Sequence, residues 1–240
     1  GQFTKKNTFG VFFSVEMVNA FTELSNMVEV QQTTKDNADI IFLHDASLTK
    51  EAYCLEVTEK IHILSADESG AFYALQSLKQ IFAQTSHIVK GVKVSDKPDL
   101  EMRGFMLDIS RDKVPQLTSI YELIDLMSFL KMNHLELYVE GFSYGYPSFK
   151  EYWQDKTPIT VEEYQAIEKY ANSKMIDLVP NQNGFGHMAP WLELDAYKDL
   201  AECPDGIFLW GTHRKPGTLN PLDGRSIELV KQMYQDMLPF

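Results

Sequence analysis

The chain has 240 residues, of which 44% are hydrophobic and 23% are charged, and both values are typical of a folded globular protein. Its 34 acidic residues outnumber its 22 basic ones, and the resulting net charge of −12 disfavours nucleic acid as a partner because phosphates are negative. No apolar stretch approaches the ~20 residues of a membrane-spanning helix, so we expect no membrane partner.

The first part of the chain mixes strand and helix patterns. In chain order the predicted elements are a strand at 9–15, a helix at 16–27, a strand at 38–45, a pair of strands within 52–66, a helix at 66–84 and a strand at 87–96. Ser65 and Asp67 are both suited to cap the second helix. Pro98, flanked by charged residues, then marks a domain boundary near residue 98.

After that boundary, strand and helix patterns alternate. The predicted strands lie at 102–110, 134–140 and 175–181, and the predicted helices at 117–132, 160–174 and 226–238. The helix at 117–132 places Leu130 on its apolar face, and Thr160 and Glu163 have the spacing of a capping box. Repeated β then α predicts a parallel sheet, either open or closed into a barrel. Three such units are under half of a complete (β/α)₈ barrel, which needs ~250 residues.

Polar residues follow each of the three predicted strands. Ligands bind at the carboxyl ends of parallel strands, so these residues are the candidates for a site. Carboxylates and amides pair with hydroxyl groups, and arginine supplies a rigid fork of donors, which suits a sugar. The candidate residues are Asp108, Arg111, Glu140, Asn183 and His187.

Structural interpretations of the same residues stay open. Asp108 and Arg111 could form a plain structural salt bridge, Glu140 could be a solvated rim residue, and His187 could be a loop histidine with satisfied hydrogen bonds. Trp153 could simply belong to the core.

Two further patterns bear on ligand binding. Tyr144, Trp191 and Trp210 have aromatic faces that could stack on the apolar side of a pyranose ring. Residues 184–189 match the dinucleotide-binding pattern G-x-G-x-x-A, but Pro190 interrupts the helix that should follow. The second pattern is therefore a poor candidate.

Metal, thiol and nucleophile chemistry have little support. The six histidines show no ligand spacing and no HExxH motif occurs, so we predict neither a metal nor another cofactor. Cys54 and Cys203 are far apart and are expected to be free thiols. No G-x-S-x-G elbow is present. The N-terminus GQFTKKNTFG lacks the apolar core of a signal peptide, which slightly favours a cytoplasmic location.

Three segments carry a family resemblance: SADESGAFYALQSLKQIF (65–82), RGFMLDISR (103–111) and NQNGFGHM (181–188). Together they resemble glycoside hydrolase family 20, the β-N-acetylhexosaminidases, and the resemblance covers nearly the whole chain. It implies an α/β fold with a small α+β domain of zincin-like type at 1–98. The first three β/α units of a catalytic TIM barrel would follow at 99–240, and the barrel is incomplete in this chain.

The resemblance also implies roles for individual residues. Arg111 matches the arginine that holds hydroxyls of a terminal N-acetylhexosamine, Asp108 matches the aspartate that supports it, and His187 matches the histidine of the family's P-G-H segment. Phe185 stands in place of the usual proline, and Asn183 stands where many members have an acidic residue. These departures, together with a similar one at position 181, favour a bacterial subgroup over the lysosomal enzymes.

The implied activity is removal of terminal β-linked N-acetylhexosamine, either glucosamine or galactosamine, from a glycan. The substrate's acetamido oxygen is the nucleophile, and an Asp-Glu pair after the fourth strand orients it and acts as general acid/base. Asp67-Glu68 lies in the first domain and caps a helix, so the catalytic pair is expected beyond Phe240. The 240 residues alone are expected to be inactive.

Three other expectations remain. A non-catalytic carbohydrate-binding or interaction module is the main alternative to an enzyme, and an unrelated α/β enzyme is a third possibility. Because a half barrel leaves the edges of its parallel strands unpaired, we expect the isolated chain to self-associate.

Overall fold

The computed structural model describes residues 1–111 and 113–238, and the chain divides into two compact units. The first unit comprises 1–103, 125–133 and 173–175, and the second comprises 104–124, 134–172 and the residues from 176 onward. The boundary near residue 98 stays a prediction. Within the described ranges, no helix combines the length and apolarity that crossing a membrane would require.

The first unit is built around a six-stranded mixed sheet against which helices pack. Its elements are β1 (Gln2–Thr4), β2 (Thr8–Phe13), α1 (Val18–Met27), β3 (Glu29–Gln32), β4 (Ile40–His44), β5 (Tyr53–Val57), β6 (Ile61–Ser65), α2 (Glu68–Ala83), β7 (Ile88–Lys90) and β8 (Val92–Asp96). The strand order is β3-β2-β4-β6-β5-β8. The first four of these strands run parallel, and β5 is antiparallel to both neighbours.

Two adjacent acidic residues begin two different helices of this unit. Asp67 caps α2, since its carboxylate accepts a hydrogen bond of 2.7 Å from the Gly70 backbone N–H. Ser65, the other predicted cap, is the last residue of β6. Glu68 accepts hydrogen bonds from the Asn19 (2.6 Å) and Ala20 (3.2 Å) backbone N–H groups at the start of α1. These side chains supply acceptors to N–H groups that have no intrahelical partner.

The predicted strand at 87–96 is wrong in one respect, because it is two strands. It divides at Gly91, whose N–H donates to the Gly1 carbonyl at 3.0 Å. β7 on one side of this point pairs with β1, whereas β8 on the other side pairs with β5 in the main sheet. The chain therefore changes sheets in a single residue, and the continuous apolar alternation conceals this change.

The second unit contains three adjacent parallel strands. From residue 104 on, the elements are β9 (Gly104–Asp108), α3 (Leu117–Phe129), β10 (His134–Val139), α4 (Val161–Ser173), β11 (Asp177–Gln182), α5 (Ala189–Leu192), β12 (Ile207–Leu209), β13 (Thr212–Arg214) and α6 (Gly224–Met237). The order β9-β10-β11 is the chain order, and His134 lies opposite both Gly104 and Asp177. This is the arrangement of the first strands of a (β/α)₈ barrel.

One predicted helix terminus of the second unit is confirmed, and another is wrong. The capping box is confirmed, because the Thr160 hydroxyl accepts from the Glu163 N–H at 3.2 Å while the Glu163 carboxylate accepts from the Thr160 N–H at 2.9 Å. The predicted helix at 117–132 is too long. Lys131 has a φ of 59°, which is incompatible with a right-handed helix, and Leu130 is 57% exposed rather than buried.

The outer strand β9 of the parallel sheet carries exposed apolar groups. Within the described part of the chain, β9 and β11 each pair only with β10, and Phe105 and Met106 of β9 are about half exposed. Such edges are templates for pairing with another strand. Self-association of the isolated chain stays a prediction.

Candidate active site

The carboxyl ends of the three parallel strands bring the predicted site residues together. Ladder hydrogen bonds continue past the strand ends, from the Ile109 N–H to the Tyr138 carbonyl and from the Asn183 N–H to the Val139 carbonyl, each 3.1 Å. The carboxyl ends of adjacent strands are therefore in register with one another. The five predicted residues and Tyr138 form one connected cluster: Asp108, Arg111, Glu140, Asn183 and His187.

Arg111 is the cation of this cluster. Its Nη2 donates to Glu140 Oε1 at 2.8 Å, and its Nη1 lies 3.2 Å from Asp108 Oδ2. The other oxygen of Asp108 accepts from the Ser110 and Arg111 backbone N–H groups, at 2.8 and 3.1 Å. Two carboxylates thus orient the guanidinium, while the Arg111 side chain keeps 57% of its surface exposed. An arginine fixed in this way presents its remaining N–H groups to a ligand.

Tyr138 connects the cluster and was missed by the sequence analysis. Its hydroxyl donates to Glu140 Oε1 at 2.6 Å and accepts from Asn183 Nδ2 at 2.6 Å, and the Arg111 guanidinium lies 5.6 Å from its ring centroid. Burial, followed by the adjacent Glu140 carboxylate, raises the pKa of Tyr138, so the hydroxyl keeps its proton and donates. The alternation of β10, which puts Tyr138 and Glu140 on one face, is the signal that could have found it.

Glu140 is held by its backbone as well as by its side chain. The Glu140 N–H donates to the Ser110 hydroxyl at 2.6 Å, and that hydroxyl lies 2.8 Å from the Ser143 hydroxyl. The contacts of the Glu140 carboxylate with Arg111 and Tyr138 involve Oε1. Across residues 1–111 and 113–238, no protein donor bonds to its Oε2, which leaves an acceptor for a ligand hydroxyl.

His187 reaches the cluster from an unusual backbone conformation. Its φ is 54°, in the left-handed region that histidine tolerates better than most residues, and its Nδ1 lies 3.3 Å from Glu140 Oε1. The imidazole is 54% exposed, so part of the ring is accessible to a ligand. Asn181 lies on β11, two residues before Asn183. Its side-chain amide donates to the Glu136 carboxylate at 2.7 Å rather than to a residue of the cluster.

Two of the three predicted stacking rings are unavailable. Tyr144 and Trp191 are fully buried, and the Trp191 ring packs against Phe149 and Tyr146 with centroids 5.0 and 5.7 Å away. Apolar rings gain more from this shared core than from the rim, which is why they point inward. Trp210, in contrast, is 86% exposed.

The dinucleotide-binding pattern is not followed by a helix long enough to bind a pyrophosphate. Residues 184–189 lead into α5, which is a single turn with Pro190 in it, and the Met188 N–H already donates to the Gly217 carbonyl at 2.9 Å. A pyrophosphate site needs free N–H groups at the start of a longer helix. In the part of the chain that is described, no three His, Cys, Asp or Glu residues are grouped in a way that would hold a metal ion.

Two cavities of the second unit reach the cluster. One, of about 460 Å³, is lined by Ser110, Glu140 and Phe142 among others. The other, of about 370 Å³, is lined by His187, Ile207 and Arg214 among others. Glu140 lines the first cavity and His187 lines the second, and His187 Nδ1 lies 3.3 Å from Glu140 Oε1. The cluster is therefore open to a ligand from both cavities.

The sequence is similar to those of known β-hexosaminidases. The β-hexosaminidase of Porphyromonas gingivalis is 27% identical over 228 residues, which cover 83% of this chain and 29% of that protein. The β-hexosaminidase subunit A1 of Dictyostelium discoideum is 28% identical over 221 residues, which cover 84% of this chain and 41% of that protein. The chain thus spans well under half of the length of these relatives.

Solved structures show the same fold. The β-N-acetylhexosaminidase of Bacteroides fragilis superposes with a TM-score of 0.83 at 22% identity, covering 98% of this chain and 51% of that one. The exo-β-N-acetylglucosaminidase of Vibrio harveyi, solved in complex with N-acetylglucosamine, gives a TM-score of 0.82 at 19% identity, covering 99% and 42%.

Two family descriptions match consecutive parts of the sequence. Residues 14–97 match glycosyl hydrolase family 20, domain 2, and residues 100–240 match the catalytic domain of the same family. The second match alone covers more than half of the chain, and it contains every residue of the cluster. The chain therefore belongs to glycosyl hydrolase family 20.

Proposed function

We propose that the whole protein removes terminal β-linked N-acetylhexosamine, as N-acetylglucosamine or N-acetylgalactosamine, and that this chain supplies the part that holds the sugar. The observation that carries the proposal is the convergence of Asp108, Arg111, Glu140, Asn183 and His187 on one open cluster. The names of the relatives, and the N-acetylglucosamine complex of the Vibrio harveyi enzyme, support it.

The cluster offers complementary groups for the hydroxyls of one sugar ring. Arg111 donates through the N–H groups that the two carboxylates leave free, and Oε2 of Glu140 accepts. Asp108 is a positioning residue, because its contacts are to Arg111 and to the backbone beside it. His187 joins the cluster through Glu140, and Asn183 joins it through the Tyr138 hydroxyl.

The chemistry of the reaction comes from the substrate and from residues outside the cluster. In the substrate-assisted scheme the acetamido oxygen attacks the anomeric carbon, and an acid protonates the leaving oxygen. The Asp-Glu pair that this scheme needs follows the fourth barrel strand in the family. We propose that it lies in the part of the protein that comes after Phe240, so the residues described above bind and orient the substrate rather than exchange protons with it.

The test is hydrolysis of 4-nitrophenyl N-acetyl-β-glucosaminide and of its galactosamine counterpart by the whole protein. We expect release of nitrophenol from at least one of them. A folded protein that hydrolyses neither, yet binds N-acetylglucosamine in calorimetry, would favour the non-catalytic carbohydrate-binding module instead. The cytoplasmic location also stays a prediction.

Tyr138→Phe tests whether the cluster acts as a unit. The variant keeps the ring under Arg111 but removes the hydroxyl that joins Glu140 and Asn183, so we expect kcat/KM to fall about tenfold, mainly through a higher KM. Tyr121→Phe, on α3, is the matched control and should leave both constants unchanged. Equal kinetics for Tyr138→Phe and wild type would contradict the proposed role of the cluster.

A further inference from the structure

Asn183 of the cluster is followed by a glycine, and this is the only Asn-Gly pair in the sequence. Asparagine is one of the residues that limit the chemical lifetime of a protein. Its side-chain carbonyl carbon, Cγ, is open to attack by the backbone nitrogen of the next residue. A glycine there has no Cβ to hinder the attack or to restrict the backbone. The pair therefore has the composition of a site of spontaneous covalent change.

The structure leaves the attacking nitrogen free. Asn183 and Gly184 follow the end of β11 in a loop, and both are partly exposed to solvent. Among the residues that the structure describes, none accepts a hydrogen bond from the Gly184 N–H. In a helix the same N–H would be bonded to a carbonyl of the preceding turn. The Gly184 nitrogen can therefore lose its proton to water, which it must do before it attacks.

Gln182 assists the loss of this proton. It is 6% exposed, and its Nε2 donates to the Asn183 carbonyl oxygen at 2.8 Å. That oxygen belongs to the same peptide group as the Gly184 nitrogen. A hydrogen bond to the oxygen stabilises the negative charge that the peptide group acquires when the nitrogen is deprotonated. The Gln182 amide is itself fixed, because its Oε1 accepts from the Tyr146 hydroxyl.

We propose that Asn183-Gly184 is a deamidation site through which the cluster changes its own charge. The Gly184 nitrogen forms a bond with Asn183 Cγ, the Cγ–Nδ2 bond breaks, and ammonia leaves with one proton in place of the one that the Gly184 nitrogen lost. Water then opens the cyclic imide at either of its carbonyl carbons. One product is aspartate. The other is isoaspartate, in which the main chain runs through the side-chain carboxyl carbon.

Either product disturbs the hydrogen bonds that join the cluster. Asn183 Nδ2 donates to the Tyr138 hydroxyl at 2.6 Å, and this hydroxyl donates to Glu140 Oε1 at 2.6 Å. A carboxylate cannot donate, so the hydroxyl would lie between two acceptors and can serve only one of them. The new carboxylate also repels that of Glu140. Isoaspartate in addition lengthens the main chain shortly before His187, whose imidazole contacts Glu140.

The experiment incubates the folded whole protein at mildly alkaline and at mildly acidic pH and samples it over time. Peptide mapping by mass spectrometry detects the replacement of the Asn183 amide by a carboxyl group, and chromatography separates the aspartate and isoaspartate peptides. We expect faster conversion at alkaline pH, because the attacking nitrogen must lose its proton. In the same samples, kcat/KM for 4-nitrophenyl N-acetyl-β-glucosaminide should fall about tenfold on full conversion, mainly through a higher KM.

Gly184→Ala is the matched control. The φ of Gly184 lies outside the left-handed region, and a Cβ built there would lie 3.4 Å from Val230 Cγ1, which is an ordinary contact. The variant should start within about twofold of wild-type kcat/KM but deamidate at least about tenfold more slowly. Asn183→Asp should have the lower kcat/KM before any incubation. Asn172, within α4, should keep its amide throughout.

Three outcomes would overturn the proposal. They are an Asn183 peptide that keeps its amide, a Gly184→Ala variant that deamidates as fast as wild type, and a converted protein with unchanged kcat/KM. The kinetic consequence rests on the proposed function, whereas the modification does not. If the fresh protein hydrolyses no N-acetylhexosaminide, the proposed function has failed. Mass spectrometry still decides the modification in that case, and calorimetry with N-acetylglucosamine measures its effect on binding.

Discussion

Arg111→Ala in the whole protein is expected to lower kcat/KM for 4-nitrophenyl N-acetyl-β-glucosaminide by a factor of about 100 or more. Arg111 is the only arginine or lysine in the described cluster, and its side chain is oriented by Asp108 at 3.2 Å and Glu140 at 2.8 Å. Under the proposed function, the substitution removes the charge-assisted hydrogen bonds that Arg111 would donate to substrate hydroxyls. It also leaves two carboxylates facing each other without the cation between them.

Arg225→Ala is the matched control for this change. Arg225 is 62% exposed and also pairs with two carboxylates, Asp199 at 2.9 Å and Asp223 at 2.7 Å, but it lies at the start of α6 outside the cluster. We expect its kinetics to match wild type within about twofold, since exposed ion pairs contribute little. Arg111→Lys keeps the charge but not the fork, and should lie between wild type and alanine. If Arg111→Ala retains wild-type kcat/KM, then its ion pairs are structural and the assignment of the site is wrong.

Glu23→Gln is expected to lower the free energy of unfolding of the first unit by about 3 kcal/mol. Glu23 is 3% exposed, and its carboxylate accepts from Lys174 Nζ at 2.7 Å and from Gln76 Nε2 at 3.1 Å, with Lys79 Nζ at 3.6 Å. The amide cannot match the charge of Lys174, which is itself only 13% exposed. The variant thus weakens a buried ion pair while keeping the volume and one hydrogen bond.

Hydrogen exchange at increasing urea concentrations measures this change locally, in peptides that cover α1 and α2. Glu29→Gln, at an exposed position on β3, is the control and should change the free energy by less than about 0.5 kcal/mol. Indistinguishable protection in Glu23→Gln and wild type would show that the buried pair contributes nothing net, as some buried pairs do.

The same pair predicts the direction of a pH dependence. Burial acts to raise the pKa of Glu23, but hydrogen bonds from Lys174 and Gln76 and the charges of Lys174 and Lys79 outweigh it and hold the pKa below its usual value. A lowered folded-state pKa means that the stabilisation is present above the unfolded-state value and is lost as the pH falls through the folded-state value. The difference between wild type and Glu23→Gln should therefore be full at pH 7 and shrink below about pH 4.

The RGFMLDISR segment shows how much of the structure a local sequence pattern predicts. Its pattern indicated a strand followed by polar groups, and the structure has β9 and the Asp108–Arg111 pair there. Its other arginine serves a different purpose. Arg103 donates to Glu51 at 3.1 Å and to the Tyr73 hydroxyl at 3.0 Å, within the first unit. One motif therefore contributes to two units, and nothing in the spacing of its residues distinguishes the two arginines.

The sequence alone determined the class of the fold, the family resemblance and five residues that the structure brings into one cluster, because periodicity, capping and strand-end chemistry are local properties that survive in a linear pattern. The tertiary structure decided what depends on distant segments. It placed Tyr138 between Glu140 and Asn183, turned Tyr144 and Trp191 into the core, and left Trp210 exposed. These outcomes depend on which surfaces stay exposed once the sheets have packed. The identity of a residue such as tryptophan does not determine whether its ring is buried or exposed.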